Sequence, residues 1–299
     1  MYTAGMRGVE VLNAPAKSAL NRVEGMPFRW SINPYRGCYH GCVFCYARRT
    51  HSYLDEDGVD KWTSRIYVKT NAPAVLRTEL ARPSWRHETV AIGTVTDPYQ
   101  PLEGRFRLTR GILQALRDYE TPAALITRSP LVIRDTDVLV ELARAAGASV
   151  SISIATTDEA LARELEPTVA PPKQRLRAVE HLASAGIRVN VALAPVLPQI
   201  TDNSANIEAV VRAARDAGAA NVWHNTLYLH EVTRETFFGY LRAKRPELIA
   251  GYASDYKGKY APREVHDRVE ARVHDALARF PLHGQKTIQP RPDRQLSLL

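Results

Sequence analysis

A helix end, a glycine and a strand follow one another three times in this chain, and this recurrence constrains the fold more than any other feature. The copies read ELARAAGASV, EHLASAGIRV and RAARDAGAANV, with Gly147, Gly186 and Gly218 at the turn. Glycine adopts the left-handed conformation that ends a helix without a steric penalty. Because strands that alternate with helices form a parallel sheet with helices outside it, the pattern predicts an α/β fold.

Six apolar segments have the composition and length of strands. They are 65–70, 89–96, 123–128, 148–155, 187–194 and 221–229. Six to eight strand–helix units close fully or partly into a barrel, so we expect a partial TIM-type (β/α)6 barrel over residues 31–230. The active site of such a barrel lies where the strands end and the following loops begin.

The segments outside the barrel follow other patterns. Residues 1–30 show no periodicity and are predicted to form an irregular amino-terminal arm. Residues 231–283 are predicted to be a helical extension, because valines and a leucine repeat every four residues between positions 265 and 277. Residues 284–299 are polar and contain proline, which predicts a flexible tail.

All three cysteines lie within eight residues, as Cys38, Cys42 and Cys45 in RGCYHGCVFCYAR. An odd number of cysteines this close together does not suit disulfides and favours a reducing compartment. Three soft thiolates favour an iron–sulfur cluster, and three ligands leave one iron of a [4Fe–4S] cluster open to a small molecule. The alternative is a structural zinc site completed by His40 or His51, although no second cysteine pair is present.

Charge and hydropathy narrow the possible partners and location. The formal net charge is +8, which favours an anionic partner, with nucleic acid as the first candidate. An ordinary basic protein is the alternative, because no dense basic run accompanies the charge. The chain has no run of about 18 apolar residues and no secretory signal, so we expect a cytoplasmic protein without a membrane partner.

Several segments resemble a known family. NPYRGCYHGCVFCYAR, GTVTDPYQPLE, ITRSPLVIRD, VSISIAT and APVLPQITDN resemble the DNA-repair-photolyase-like radical S-adenosylmethionine (SAM) proteins, which are relatives of spore photoproduct lyase. The cysteine motif marks the superfamily, and TDPYQPLE and TRSP mark the narrower group. The resemblance implies a [4Fe–4S] cluster whose open iron chelates SAM, and an enzyme that cleaves SAM into a 5′-deoxyadenosyl radical.

The resemblance also implies roles at the strand ends. Thr96 and Asp97 would contact the methionine end of SAM, since a hydroxyl and a carboxylate accept hydrogen bonds from an ammonium. Arg128 would pair with the cofactor carboxylate, which arginine binds with two parallel bonds. The alternatives are a simple turn after a strand for Thr96 and Asp97 and a solvated surface arginine for Arg128.

Two further cofactor contacts follow from the same resemblance. Phe44 precedes the last cysteine, where the superfamily has an aromatic residue near the adenine. Ser153 on the fourth strand is implied as a ribose or cofactor contact. The alternation of a strand puts Ser151 on the same face, so that position stays open as well.

Two departures affect the reaction. The lyase uses a fourth cysteine as hydrogen-atom donor, and this chain has Thr94 at the matching position. The lyase also has a catalytic tyrosine where this chain has Phe44. The lyase reaction is therefore not expected intact, and Tyr46 or Tyr99 is predicted to donate a hydrogen atom instead. The alternative for each tyrosine is packing or a simple hydrogen bond.

The sequence suggests two protein partners. The run Gln295-Leu296-Ser297-Leu298-Leu299 looks like the peptide by which bacterial polymerases and repair proteins dock on the replication sliding clamp. Its leucines would fill an apolar groove, or alternatively fold back on the barrel. A radical SAM enzyme would also need an electron donor such as flavodoxin or ferredoxin.

Three functions stay open from the sequence. The first is a radical SAM enzyme that repairs or modifies nucleic acid by lyase-like or hydrogen-abstracting chemistry. The second is a radical SAM enzyme that acts on a peptide or small metabolite. The third is a non-catalytic iron–sulfur protein that binds DNA or acts as a sensor, and it would need a fourth cluster ligand.

Overall fold

The computed structural model describes residues 8–54 and 57–290. Ten strands form in these residues: β1 (Glu10–Asn13), β2 (Asn21–Arg22), β3 (Trp30–Ile32), β4 (Tyr35–Arg36), β5 (Arg65–Val68), β6 (Val90–Ile92), β7 (Ala123–Thr127), β8 (Ala148–Ser153), β9 (Arg188–Val196) and β10 (Asn221–Thr226).

Eleven α-helices form in the same residues: α1 (Lys61–Ser64), α2 (Ala72–Leu80), α3 (Glu103–Phe106), α4 (Leu108–Asp118), α5 (Thr136–Ala145), α6 (Glu159–Leu165), α7 (Pro172–Ser184), α8 (Ser204–Asp216), α9 (Glu231–Lys244), α10 (Ile249–Asp255) and α11 (Arg263–Arg279). Short 3₁₀ helices cover Tyr46–Leu54, Pro130–Asp135 and Pro246–Leu248. None of the helices described here is both long and apolar enough to cross a lipid bilayer.

The larger sheet has seven strands in the order β10-β9-β8-β7-β6-β3-β2. The six strands from β10 to β3 are parallel to their neighbours, and β2 alone pairs antiparallel, with β3. Helices follow the parallel strands along the chain. The predicted α/β fold and partial (β/α)6 barrel are therefore confirmed.

The first barrel strand lies where the sequence did not indicate one. The segment predicted over 65–70 forms β5, which belongs to a separate three-stranded sheet in the order β1-β5-β4. The barrel begins with β3, whose three residues are too few to show an alternating pattern. The region predicted as an irregular arm therefore contributes β1, β2 and the start of β3.

The strand predicted over 89–96 ends early, at Ile92. Gly93 follows with a φ of +89°, and a Cβ at this position would lie 2.4 Å from the carbonyl oxygen of Ile126. A side chain would clash there, so only glycine lets the chain leave the strand in this direction. Residues 94–97 consequently form a loop across the ends of the strands.

The core lies between the sheet and the surrounding helices. Ile207, Val210, Val211 and Ala214 form one face of α8, as their spacing predicts, and all four are fully buried. Burial of each large apolar side chain of such a stripe contributes about 1.5–3 kcal/mol. Helix α11 packs on α8 from outside, so the carboxyl-terminal helices extend the core of the barrel.

The segment after α11 lies along the barrel. Gln285 donates a hydrogen bond to the carbonyl of Ile187 and accepts one from the amide of Val189 at 3.2 Å. The amide of Ile288 donates to the carbonyl of Gly186 at 2.8 Å. The predicted tail is therefore docked near the start of β9 in its first residues, and the segment Gln295–Leu299 lies outside the described residues.

Candidate functional site

A cavity of about 450 Å³ opens at the carboxyl ends of the parallel strands. Cys38, Cys42 and Cys45 line it, and none of the three forms a disulfide. Six more of the predicted site residues line the same cavity: Phe44, Tyr46, Thr96, Asp97, Arg128 and Ser153. Tyr99 does not line it.

The cysteine loop has a fixed backbone. Gly37 has a φ of +81°, and a Cβ there would lie 2.6 Å from the carbonyl oxygen of Arg65, so a larger residue does not fit. The guanidinium of Arg48 is buried and donates to the carbonyls of Gly41 and Cys42, each at 3.3 Å. These bonds hold the loop between the first and second cysteines without using the thiols.

Thr96 and Gln100 fasten the same loop to the strand ends. The Thr96 hydroxyl donates to the carbonyl of Gly37 at 2.7 Å, and the Gln100 amide donates to it at 3.2 Å. The amide of Tyr39 donates to Gln100 Oε1 at 3.1 Å. Gln100 is fully buried, and its role was missed although it lies in the TDPYQPLE segment. These contacts make Thr96 and Gln100 positioning residues for the cysteines.

Asp97 joins three parts of the site. Its Oδ1 accepts hydrogen bonds from the Thr127 hydroxyl at 2.7 Å and the Tyr99 amide at 2.8 Å. Its Oδ2 accepts from the Arg128 amide at 2.7 Å and lies 3.2 Å from His40 Nδ1. Burial raises the pKa of the Asp97 carboxyl, but His40 and the hydrogen bonds hold it below its usual value. Burial lowers the pKa of His40, whereas Asp97 and the neighbouring cysteine raise it by more, to about 10.

Arg128 belongs to a buried chain of charges. Its Nε donates to Glu166 Oε1 at 2.9 Å and its Nη2 donates to the carbonyl of Ala194 at 3.1 Å. Glu166 Oε2 accepts from Arg175 Nη2 at 2.6 Å. The Arg128 guanidinium also lies 5.4 Å from the centre of the Phe44 ring, within range of a cation–π contact. Burial raises the pKa of Glu166, but Arg175 and Arg128 lower it below its usual value.

Two arginines supply positive charge next to the cysteines. Burial raises the pKa of the Cys42 thiol well above its usual value, and Arg128 opposes this effect. Burial likewise raises the pKa of the Cys45 thiol, against the opposing charge of Arg48. Buried thiolates need such nearby cations, so the pair is placed to stabilise a negatively charged group on the cysteines.

Ser153 and Ser151 occupy different environments. Ser153 lines the cavity, and its carbonyl accepts a hydrogen bond from Arg175 Nη1 at 2.8 Å. Ser151 does not line the cavity, and its hydroxyl accepts from Trp223 Nε1 at 3.3 Å. The structure thus brings Ser153, and not Ser151, to the cysteines.

The two candidate tyrosines also differ. Tyr46 lines the cavity, is 46% exposed, and its hydroxyl donates to the carbonyl of Thr94. Tyr99 is fully buried, and its hydroxyl donates to Asp135 Oδ2 at 2.9 Å. The Arg134 guanidinium lies 5.7 Å from the centre of the Tyr99 ring. Tyr99 therefore has the packing and hydrogen bond that were the alternative to a catalytic role.

The donor set fits an iron–sulfur cluster better than zinc. His40 is paired with Asp97, and His51 packs on Trp62 with its Nε2 at 3.2 Å from the carbonyl oxygen of Arg65. In the described part of the chain, no three His, Cys, Asp or Glu side chains converge as around a single metal ion. Three thiols that line one cavity suit a group that three cysteines bind and that keeps one open position.

Comparisons with known proteins identify the relatives of this chain. The family model of the Radical SAM superfamily matches residues 32–207. An uncharacterized protein of Mycobacterium tuberculosis is 39% identical over 296 residues, which are 98% of this chain and 87% of that protein. An uncharacterized protein of Methanocaldococcus jannaschii is 27% identical over 194 residues, which are 65% of this chain and 70% of that protein.

Among solved structures, spore photoproduct lyase with bound AdoMet and dinucleoside spore photoproduct superposes with a TM-score of 0.69. Its sequence identity is 13%, and the match covers 91% of this chain and 79% of that one. SuiB of Streptococcus suis, solved with bound S-adenosylmethionine, has a TM-score of 0.51 at 12% identity, with 89% and 53% of the two chains covered. Identities this low show a shared fold alone.

Proposed function

Since this chain belongs to the Radical SAM superfamily, we propose that it holds one [4Fe–4S] cluster on Cys38, Cys42 and Cys45 and acts on nucleic acid through a 5′-deoxyadenosyl radical. The observation that carries the proposal is the position of three free thiols in one cavity at the carboxyl ends of the barrel strands. When bound, the cluster supplies the electron that cleaves SAM into methionine and the radical.

Arg128 is the residue best placed to bind the SAM carboxylate. Its contacts within the described residues use Nε and Nη2, so Nη1 is left for a ligand in the cavity. Glu166 fixes the orientation of the guanidinium from the far side. Phe44, which lies against Arg128, is assigned to the adenine, and Ser153 is assigned to the ribose.

We propose that Thr96 and Asp97 position the cysteine loop and the strand ends, in addition to contacting the methionine end of SAM. The Thr96 hydroxyl and both Asp97 oxygens already hold the cysteine loop and the ends of β6 and β7. A displacement of this loop would move the three cysteines that would hold the cluster relative to Arg128. Both residues therefore serve the methionine end of SAM by fixing the distance between its two anchoring points.

Tyr46 is the better hydrogen-atom donor of the two tyrosines. It lines the cavity, and its hydroxyl contacts Thr94, the position that matches the donor cysteine of the lyase. Transfer of its phenolic hydrogen atom to a substrate radical would leave a tyrosyl radical. An external electron donor, flavodoxin- or ferredoxin-like, would return the electron, and a proton would restore the phenol.

Charge supports nucleic acid as the substrate class. The chain carries a formal net charge of +8. Among the described residues that line the cavity, Asp97 is the sole carboxylate, and its oxygens are already bonded. A cavity with cations and no free carboxylate favours an anionic substrate. The solved lyase with the same fold holds a dinucleoside spore photoproduct, which supports the same class.

Anaerobic reconstitution with iron and sulfide tests the cluster. We expect about four irons per chain, cleavage of SAM by the reduced protein, and loss of both in Cys42→Ala. Stoichiometric zinc with no cluster would contradict the proposal. An intact cluster without SAM cleavage would instead indicate a non-catalytic iron–sulfur protein.

Deuterated or damaged oligonucleotides test the substrate. Incubation with reduced enzyme and SAM should transfer deuterium to 5′-deoxyadenosine. If SAM is cleaved at the same rate with and without an oligonucleotide, the result would support the radical chemistry but favour a peptide or metabolite as the substrate.

Docking on the replication sliding clamp through Gln295–Leu299 rests on the sequence. A synthetic peptide of these residues should bind purified clamp with micromolar affinity, about −8 kcal/mol, and Gln295→Ala should abolish the binding.

The free cysteines suit a reducing compartment, so we place the protein in the cytoplasm.

A further inference from the structure

Exposed apolar side chains gather at the mouth of the cysteine cavity. Five large apolar side chains are exposed in the described part of the chain, and three of them, Met26, Tyr46 and Tyr260, line this cavity. Tyr260 is 67% exposed. Single exposed apolar residues are ordinary, but a group around one opening marks an interaction site. We call Met26, Tyr46, Tyr228 and Tyr260 the aromatic mouth, with Met26 as its one aliphatic member.

Tyr260 is held in place although its ring is exposed. Its ring packs edge to face on Tyr228, with the centroids 5.0 Å apart, and the two residues also form an antiparallel backbone bridge. Arg234 donates to the carbonyl of Gly258 at 2.7 Å and so anchors the loop that carries Tyr260. A fixed ring loses little conformational entropy when a flat ligand stacks on it.

Polar groups at the opening complement the aromatic mouth. Arg49 and His266 line the cavity, and Arg49 is exposed. Asn225 lies at the end of β10 and is also exposed, so its amide can both donate and accept hydrogen bonds. A stacking surface, a cation and an amide that line one opening match the base, the phosphate and the base edge of a nucleotide.

Resting on the proposed function, we infer that Tyr260, supported by Tyr228, stacks one unpaired nucleobase at the mouth while Arg49 binds an adjacent phosphate. A base inside a duplex already stacks on both faces and cannot present one to a protein ring. The site therefore takes a single-stranded nucleotide and delivers it toward the cysteine side of the cavity.

Fluorescence anisotropy with the full-length, cluster-loaded protein tests this site. The probe is a labelled single-stranded oligonucleotide of about ten nucleotides, compared with its duplex. Tyr260→Ala should weaken single-strand binding at least about fivefold, and Tyr260→Phe should retain it. Arg49→Ala should reduce the salt dependence of binding by about one unit of the log–log slope.

Tyr53→Ala is the matched control, because Tyr53 is 71% exposed and does not line the cavity. Its binding should equal that of the wild type, and all variants should keep the iron content of the wild type. Wild-type affinity in Tyr260→Ala, an equal loss in Tyr53→Ala, or equal affinity for the duplex would overturn the inference.

These outcomes separate the inference from the proposed function. If the wild type binds single strands and Tyr260→Ala binds equally well, the stacking site is wrong and nucleic acid stays the proposed substrate. If the wild type binds neither oligonucleotide while it still cleaves SAM, both the stacking site and the nucleic acid substrate are removed.

Discussion

The aromatic mouth and the polar network next to the cysteine loop are built in opposite ways. We call this network the floor; it comprises Thr96, Asp97, Gln100 and the charge chain of Arg128, Glu166 and Arg175. In the floor, Thr96, Asp97 and Gln100 are buried, and their polar atoms form hydrogen bonds with the cysteine loop and the strand ends. At the mouth, Met26 and Tyr260 are more than half exposed. Fixed polar networks suit chemistry that requires one geometry, whereas exposed rings can accept ligands of different sequence. Under the proposed function, this contrast would assign cofactor chemistry to one region and substrate choice to the other.

The largest expected effect concerns the charge chain on the floor. Glu166→Gln leaves the buried guanidinium of Arg175 without its carboxylate partner and removes one partner of Arg128, which should lower the free energy of unfolding by about 3–5 kcal/mol. Denaturant titration of the reconstituted protein measures this.

Glu164→Gln is the matched control for that measurement. Glu164 pairs with Arg245 near the surface, where its side chain is 33% exposed, so the loss should be below about 1 kcal/mol. Equal losses in the two variants would contradict the view that the floor is the rigid part.

The next effect concerns SAM affinity. Arg128→Ala removes a charge-assisted contact of about 1.5–3 kcal/mol, so SAM should bind roughly 10- to 150-fold more weakly while the cluster stays. Equilibrium dialysis with labelled SAM measures the affinity. Arg163→Ala, on the exposed side of α6, should leave it unchanged. Unchanged affinity in Arg128→Ala would remove the carboxylate assignment.

A smaller effect is expected at Gln100. Gln100→Ala removes two hydrogen bonds to the cysteine loop, which together contribute about 1–2 kcal/mol. If the free energy of opening the cysteine loop falls by this amount, a chelator should remove iron roughly 5- to 30-fold faster. The exposed Gln174→Ala serves as control. An unchanged rate of iron loss would show that Thr96 holds the loop without Gln100.

The smallest effect is expected at the mouth. Met26 is 56% exposed, so Met26→Ala should change the free energy of unfolding by less than about 0.5 kcal/mol. Thermal unfolding beside the Glu166→Gln variant measures the difference. A loss of several kcal/mol would mean that the mouth is as firmly packed as the floor, and the comparison would fail.

The sequence was sufficient to predict the barrel and the cysteines that line the cavity. The helix–glycine–strand repeats span whole elements, and the cysteines lie next to one another in the chain, so local patterns carried both predictions. β3 was missed because three residues show no period. Glu166 and Arg175 were missed because their partners lie on other elements, and no local spacing indicates a pairing of that kind.

The sequence did not predict the mouth either, because its residues also lie on different elements. Met26 comes from the amino-terminal arm and Tyr260 from the segment between α10 and α11, and tertiary structure alone brings them together. The two candidate tyrosines show a related limit. Tyr46 and Tyr99 both follow motif residues, and the burial that separates them depends on distant side chains such as Asp135.

The docking of Gln285 and Ile288 at the start of β9 has a practical consequence for surface attachment. The cavity is lined by Ala194 and Pro195, about 23 Å farther along the same strand at about 3.3 Å per residue. Gln285 and Ile288 therefore lie at the end of the barrel away from the opening. Protein attached to a surface through a label on Lys286, which is exposed between them, would present the aromatic mouth to the solution.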